Sequence, residues 1–154
     1  MSDRYFESRG LEEALKKNGV VIITGRGVSM MPLIKNSRDR MCAARIKDKP
    51  KKHDILIYRG EGEYIAHRLV GTRGDKYLTC GDNQIRPAEI SPEDVVAYLP
   101  GMVRKDRYVD FSKSSAYRLY VLIWCSSMFL RRCMLYIIHH FSASYKKEYR
   151  LQTG

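Results

Sequence analysis

Two side chains in the first half of the chain have the types that nucleophilic catalysis requires. Ser29 lies in the stretch GVSMMPLI, directly after a hydrophobic run, and His67 lies within YIAHRLVG. A serine hydroxyl is a weak nucleophile at neutral pH unless a base removes its proton and a donor stabilises the developing oxyanion. A serine in a turn is most often only a turn residue, so the assignment depends on finding a base.

Among the histidines, His67 has the pattern that best suits a base. We expect His53 to be solvated in a basic loop, while His139 and His140 lie in an apolar C-terminal segment that favours a surface or interface role. Alternate residues of a strand share a face, so His67 points the same way as the apolar Ile65. A half-buried histidine of this kind is either functional or a satisfied core residue, and both interpretations stay open at this point.

Four short motifs follow one another in an order that resembles the type I signal peptidase family. They are S-M-x-P-L at 29–33, K-K-x-D-I-x-x-Y at 51–58, Y-I-x-H-R-x-V-G at 64–71 and G-D-N at 81–83. The wider superfamily includes LexA-like self-cleaving repressors. The resemblance covers residues 20–103 and implies a β-rich domain of antiparallel sheets with serine peptidase activity.

The resemblance implies a role for each matching residue. Ser29 takes the position of the nucleophile, and His67 takes that of the general base, as in the histidine type of the endoplasmic reticulum and archaea. Asp82 of the G-D-N motif matches the carboxylate that would orient the imidazole and stabilise imidazolium. Gly27 stands where some relatives carry a second serine, so the oxyanion would rely on the backbone N–H of Ser29.

The expected substrate is a leader-bearing precursor or a signal-like peptide, bound in an extended form beside a strand edge. We expect Met30, Pro32 and Ile65 to contact it, and the resemblance implies small side chains just before the cut. The cysteine and histidine spacing matches no zinc site, so neither a metal nor another cofactor is expected. The four cysteines are expected to be free thiols in a reducing compartment.

Two alternatives to a processing peptidase follow from the same residues. A LexA-like self-cleaving regulator would need a lysine base and a DNA-binding domain, whereas the base position here holds His67. A catalytically inactive fold of the same family could instead serve as a basic membrane-surface binding module. The net charge of +11 favours an acidic partner, but there is no zinc finger or aromatic stacking motif to indicate nucleic acid.

Short strand patterns at regular spacing predict the elements that must position these residues, in a mostly β domain. We expect a helix over 11–18 that ends at Gly19, and a buried strand over 20–24. Further strands are expected over 41–46, 53–59, 64–73, 77–80, 95–103 and 107–111. Pro100 and Gly101 predict an edge position or a bulge. The domain organisation is then a lead-in over 1–19, a catalytic domain over 20–111 and a C-terminal segment over 112–154.

The C-terminal segment differs from the rest because residues 119–130 are almost entirely apolar. Arg131 and Arg132 interrupt it, and each half is shorter than the about 20 apolar residues that cross a bilayer. We expect a helical segment lying in the membrane interface; packing on the domain or in a dimer, and a true span, are the alternatives. Lys113, Arg118, Lys146, Lys147 and Arg150 could meet an anionic membrane surface. The polar start predicts no N-terminal signal or anchor, and hence a cytoplasmic location or one at the inner face of a membrane.

Overall fold

The computed structural model of the chain describes residues 8–36, 38–60 and 62–141. Within these ranges, eight strands form one antiparallel sheet, with one helix before it and two after it. The elements are α1 (Ser8–Asn18), β1 (Val20–Ile23), β2 (Asp39–Ala44), β3 (Ile55–Arg59), β4 (Tyr64–Arg73), β5 (Lys76–Cys80), β6 (Ala88–Ile90), a short 3-10 turn (Pro92–Asp94), β7 (Val95–Arg104), β8 (Arg107–Asp110), α2 (Ser115–Ser126) and α3 (Met128–Phe141). The predicted fold class, mostly β with an N-terminal helix and a C-terminal helical segment, is confirmed.

The strands lie in the order β1-β2-β7-β3-β4-β5-β6, and β8 also pairs with β7. β7 is therefore an interior strand, so of the two alternatives predicted at Pro100, an edge position or a bulge, the edge position does not occur. The predicted irregularity is confirmed, because the register between β2 and β7 shifts opposite this proline, between Cys42 and Ala44. Proline has no N–H to donate, so a bulge is where an interior strand tolerates it.

The first strand is an edge strand, and its predicted burial is wrong. Among the strands that the structure describes, β1 pairs with β2 alone, and its side chains alternate between the two sides of the sheet. Val20 and Ile22 are 50% and 52% exposed, whereas Val21 and Ile23 pack against the core. An unbroken run of β-branched residues does not by itself distinguish a central strand from an edge strand.

The core lies on both faces of the sheet. Leu11 of α1 packs with Ile57 in one hydrophobic cluster, and Leu56 and Tyr58 belong to a second cluster. Neighbouring residues of β3 thus supply different clusters, as the period of a strand requires. His67 pairs in register with Leu56 and so lies on the side of the second cluster.

The two C-terminal helices each pack one face on the domain. Tyr117 stacks on Phe111 with ring centroids 4.0 Å apart, and Trp124, Arg131 and Leu135 are buried. Among the described residues, no single helix is long and apolar enough to cross a membrane. The pair Ser115–Ser126 and Phe129–Phe141 meets the length and composition test only jointly, across a bend of 109°. Lys146, Lys147 and Arg150, which are predicted to contact an anionic membrane surface, lie outside the described residues.

Candidate active site

Ser29 and His67 line the same cleft, which has a volume of about 560 Å³. Residues 25–30 and residues 63–67 both line it. Asn83, Gln84 and His139 also line it. The structure therefore brings together the predicted nucleophile and the predicted base from distant parts of the chain.

A tight turn presents Ser29 to the cleft. Gly27 adopts a left-handed conformation with φ of 84°, which glycine reaches without steric cost, and the Asn36 side-chain amide donates to its carbonyl at 2.6 Å. After Ser29 the chain turns like a helix, with the Ile34 N–H donating to the Met30 carbonyl at 3.0 Å. Met30 is only 6% exposed, so it anchors the turn in the core.

The G-D-N motif supports the backbone of Ser29 directly. The Asn83 N–H donates to the Ser29 carbonyl oxygen at 2.8 Å. Gly81 lies so close that a β-carbon there would be 2.5 Å from the same oxygen. Within the described part of the chain, the Ser29 N–H makes no hydrogen bond, and it is therefore available to an oxyanion.

The N-terminal half of β4 also lines the cleft, and no strand among the described residues pairs with one of its edges. β3 pairs with the first five residues of β4, whereas β5 pairs with β4 only from Arg68 onward. Residues 65–67 therefore present backbone groups that no strand in the described ranges covers. An open strand edge of this kind can pair with an extended peptide.

His67 is buried, and a tyrosine holds one of its ring nitrogens. The His67 Nδ1 lies 3.0 Å from the Tyr58 hydroxyl, to which Thr79 donates at 3.5 Å. Burial lowers the pKa of His67 because it disfavours imidazolium, and the negative charge of Asp82 partly opposes this effect. In the tautomer with Nδ1–H donating to Tyr58, Nε2 is unprotonated and can act as a base.

The structure corrects the predicted partner of His67. Asp82 is fully buried and accepts two hydrogen bonds from Arg68, at 2.8 and 2.6 Å, and one from the Tyr120 hydroxyl at 3.0 Å. His67 and Arg68 are adjacent in β4 and point to opposite faces, so a carboxylate bound to Arg68 is on the wrong side for the imidazole. Asp82 therefore acts on His67 only through its charge, and Tyr58 makes the orienting contact.

Tyr58 could have been predicted as the partner of His67 if the register between β3 and β4 had been known. Tyr58 is the last residue of the K-K-x-D-I-x-x-Y motif and pairs with Ile65, two residues before His67. Such diagonal neighbours on one face are within reach of an aromatic side chain. The missing information was the register, which no local pattern supplied.

Two of the three predicted substrate contacts lie at the cleft. Met30 and Ile65 line it, whereas Pro32 does not line it and follows a cis peptide bond in the turn. Sequence reasoning missed His139 of α3, whose Nε2 lies 3.0 Å from the Asn83 side-chain oxygen at the cleft. Its position depends on how α3 folds back onto the domain.

The cysteines and the acidic groups in the described part of the chain form no metal-binding cluster. All four cysteines are free thiols, as predicted. Within residues 8–36, 38–60 and 62–141, no group of three or more histidine, cysteine, aspartate or glutamate side chains could hold a metal ion.

Comparison with protein-family models, with curated proteins and with solved structures found no match to this chain. The resemblance to type I signal peptidases therefore rests on the motifs at 29–83 and remains a prediction.

Proposed function

We propose that this protein is a serine endopeptidase, similar to the type I signal peptidases, which removes a leader or signal-like segment from a precursor peptide. The main support is that Ser29 and His67 lie in one cleft beside an unpaired strand edge. Either residue alone would be unremarkable in a protein of this size. A nucleophile, a base and a place for an extended peptide in one cleft fit acyl transfer.

The reaction begins when His67 Nε2 takes the proton of the Ser29 hydroxyl as its oxygen attacks the peptide carbonyl carbon. The negative charge develops on the carbonyl oxygen, and the Ser29 N–H is the donor available to it. The tetrahedral intermediate expels the amine, which takes the proton from imidazolium, and an ester to Ser29 remains. His67 then removes a proton from water as the water oxygen attacks the ester carbon. The second tetrahedral intermediate expels the Ser29 oxygen, which takes the proton back from imidazolium, and the carboxylic acid product is released.

The Ser29 hydroxyl and His67 are not hydrogen-bonded to each other in this structure. Contacts between a nucleophile and its base often tighten only when substrate binds. The proposal therefore requires that a peptide paired with residues 65–67 brings the two side chains together. Met30 and Ile65 would then contact the side chains next to the cleaved bond.

The proposal is tested by incubating the purified chain with leader-bearing and signal-like peptides and identifying the products by mass spectrometry. We expect discrete cuts by the wild type, and none by Ser29→Ala or His67→Ala. Ser112→Ala and His53→Asn are matched controls, since neither residue lines the cleft and asparagine tolerates the left-handed backbone at His53. Both controls should cut like the wild type.

A binding module without catalytic activity is the second candidate. It is favoured by the large apolar side chains that α2 and α3 expose, which a peptidase of soluble substrates would not need. Cuts that persist in both Ser29→Ala and His67→Ala, or no cuts with any peptide, would contradict the peptidase proposal and leave this candidate.

A further inference from the structure

The outward faces of the two C-terminal helices are apolar where a water-facing helix is normally polar. Leu122 of α2 is 69% exposed, and Phe129 and Phe141 of α3 are 77% and 81% exposed. We call this surface the helix-pair face; it consists of Leu119, Leu122, Phe129, Tyr136, Ile137 and Phe141. Six large apolar side chains exposed on two successive helices indicate a surface that another molecule or a membrane covers.

The helix-pair face cannot turn inward, because the opposite faces of both helices are bound to the domain. The Trp124 indole N–H of α2 donates to the Asp82 carbonyl at 2.9 Å, and Arg131 Nη1 of α3 donates to the Gln84 carbonyl at 3.4 Å. Trp124 and Arg131 are 4% and 1% exposed. Each helix thus has a buried inner face with specific hydrogen bonds and an apolar outer face.

The charged residues of the segment that carries the helix-pair face are all basic. Residues 112–141 contain Lys113, Arg118, Arg131 and Arg132 and no aspartate or glutamate. Arg118 and Arg132 are exposed, whereas Arg131 is buried inside the protein. Two copies of the chain meeting through this face would bring like charges together, which disfavours association. An anionic surface matches both the apolar area and its basic surroundings.

We propose that the helix-pair face docks on the surface of an anionic lipid bilayer, with both helices lying in the interface. Amphipathic helices bind in this way when apolar side chains enter the acyl boundary and basic side chains meet the headgroups. Because the two helices meet at a bend of 109°, they do not form one straight segment across the bilayer. Both helix axes can instead lie in the plane of the membrane.

Docking through this face would also bring the cleft to the membrane. His139 lies on the same helix as Tyr136 and Ile137, and it lines the cleft that contains Ser29. A peptide segment that leaves the membrane would then be the nearest substrate. This consequence rests on the proposed peptidase function, whereas the docking itself does not.

The docking is tested by flotation of the full chain with vesicles, using the Ser29→Ala variant so that catalysis plays no part. We expect binding to vesicles of phosphatidylglycerol and phosphatidylcholine, weaker binding to phosphatidylcholine alone, and a decrease with added salt. The double variant Leu122→Glu, Phe129→Glu should bind the vesicles more weakly by a factor of roughly ten or more. Val20→Glu is its matched control, because Val20 is also half exposed but lies in β1, and it should bind like the parent.

The charge contribution has its own pair of variants. Arg118→Glu with Arg132→Glu should weaken binding to the anionic vesicles by roughly tenfold or more, whereas Lys47→Glu in an exposed loop should not. Equal binding by the helix variants and their controls would overturn the proposal. A dimer that Phe129→Glu dissociates, seen by analytical ultracentrifugation together with an absence of vesicle binding, would also overturn it and identify a second copy as the occupant.

Discussion

At the scale of single residues, the candidate base differs from a serine-protease histidine in its hydrogen-bond partner, which is a hydroxyl and not a carboxylate. The His67 Nδ1 contacts the neutral Tyr58 hydroxyl at 3.0 Å, and the buried Asp82 is neutralised by Arg68. A hydroxyl can fix the ring orientation and the tautomer, but it adds no negative charge to stabilise imidazolium. Burial then lowers the pKa of His67 with only a partial electrostatic compensation.

The lowered pKa of His67 predicts the pH dependence of cleavage. The base must be neutral, so kcat/KM should rise with pH through the pKa of the buried imidazole. Because that pKa is below the ordinary value of 6.5, we expect the inflection below pH 6.5 and a plateau at neutral pH. The measurement is kcat/KM for one peptide between pH 4.5 and 8, and an inflection above 6.5 would contradict the assignment.

Substitution of Tyr58 by phenylalanine tests the orienting contact separately from the fold. Tyr58→Phe removes the hydroxyl and keeps the ring in its hydrophobic cluster. We expect roughly a tenfold to hundredfold loss in kcat, because the imidazole would no longer be held in one orientation. We also expect the inflection of the pH profile to move. Thr79→Val removes only the 3.5 Å contact to Tyr58 and should cost less. An unchanged pH profile in Tyr58→Phe would show that the tyrosine has only a packing role.

At the scale of elements, one buried ion pair connects the parts that surround the site. Arg68 of β4 binds Asp82 in the loop after β5, and it also donates to the Tyr117 hydroxyl of α2 at 2.9 Å. The same loop supports Ser29 through Asn83. Removing one partner of a buried pair costs about 3–5 kcal/mol of stability. An Asp82 variant that loses activity would therefore indicate a loss of folded protein and would not by itself indicate a catalytic role for Asp82.

The contact between Gly81 and Ser29 predicts a specific effect of one methyl group. In Gly81→Ala the new β-carbon would lie 2.5 Å from the Ser29 carbonyl, so the two backbone segments must separate. A displacement of about 1 Å near reacting groups can cost a hundredfold in rate, and we expect a loss of that order in kcat. The assay is peptide cleavage under saturating substrate, together with circular dichroism to verify folding.

Gly71→Ala is the matched control for this experiment. Gly71 lies in β4, its nearest contact for a new β-carbon is Leu78 Cδ1 at 3.9 Å, and its backbone is not left-handed. The added methyl group therefore fits in ordinary van der Waals contact. If Gly81→Ala cleaves as well as Gly71→Ala, the Ser29 turn does not depend on the G-D-N loop.

At the scale of the whole molecule, a buried aspartate connects the turn after Ser29 to the sheet. Asp39 begins β2, and both of its carboxylate oxygens accept from Arg38 and from Arg104 of β7. Burial by itself raises the pKa of Asp39, but the hydrogen bonds from the two guanidinium groups and from the Lys35 N–H lower it more. The pKa of Asp39 is thereby lowered to about 2.

This low pKa predicts that Asp39 contributes to stability only above acidic pH. The folded pKa is below the ordinary value of 3.8, so the contribution is present above pH 3.8 and disappears as the pH falls through about 2. The difference corresponds to roughly 2 kcal/mol of the free energy of unfolding. Urea unfolding of wild type and Asp39→Asn should differ by at least this amount at pH 7 and converge near pH 2.

An exposed ion pair supplies the control for the acid experiment. Asp106 lies 2.9 Å from Arg40, and its side chain is 92% exposed. Exposed pairs contribute little, so Asp106→Asn should change stability by less than about 1 kcal/mol at either pH. A constant difference between Asp39→Asn and wild type from pH 7 to pH 2 would show that the charge of Asp39 is not the cause.

Local patterns in the sequence were sufficient for most elements, whereas the roles of Ser29 and His67 came from the resemblance of four motifs and remain predictions. Alternation in β4 placed His67 beside apolar neighbours, and Gly27 marked the left-handed turn before Ser29. The helix stop at Gly19 was also predictable, because the conformation that ends a helix favours glycine. These features depend on residues within a few positions of one another.

Only the tertiary structure decided which distant side chains meet. Register placed Tyr58 rather than Asp82 at His67, and strand order made β1 an edge strand although its sequence reads as buried. The folding back of α3 brought His139 to the cleft and left an apolar face outward. Strand order, register and helix docking are set by the packing of residues far apart in the chain, and a local pattern carries no information about them.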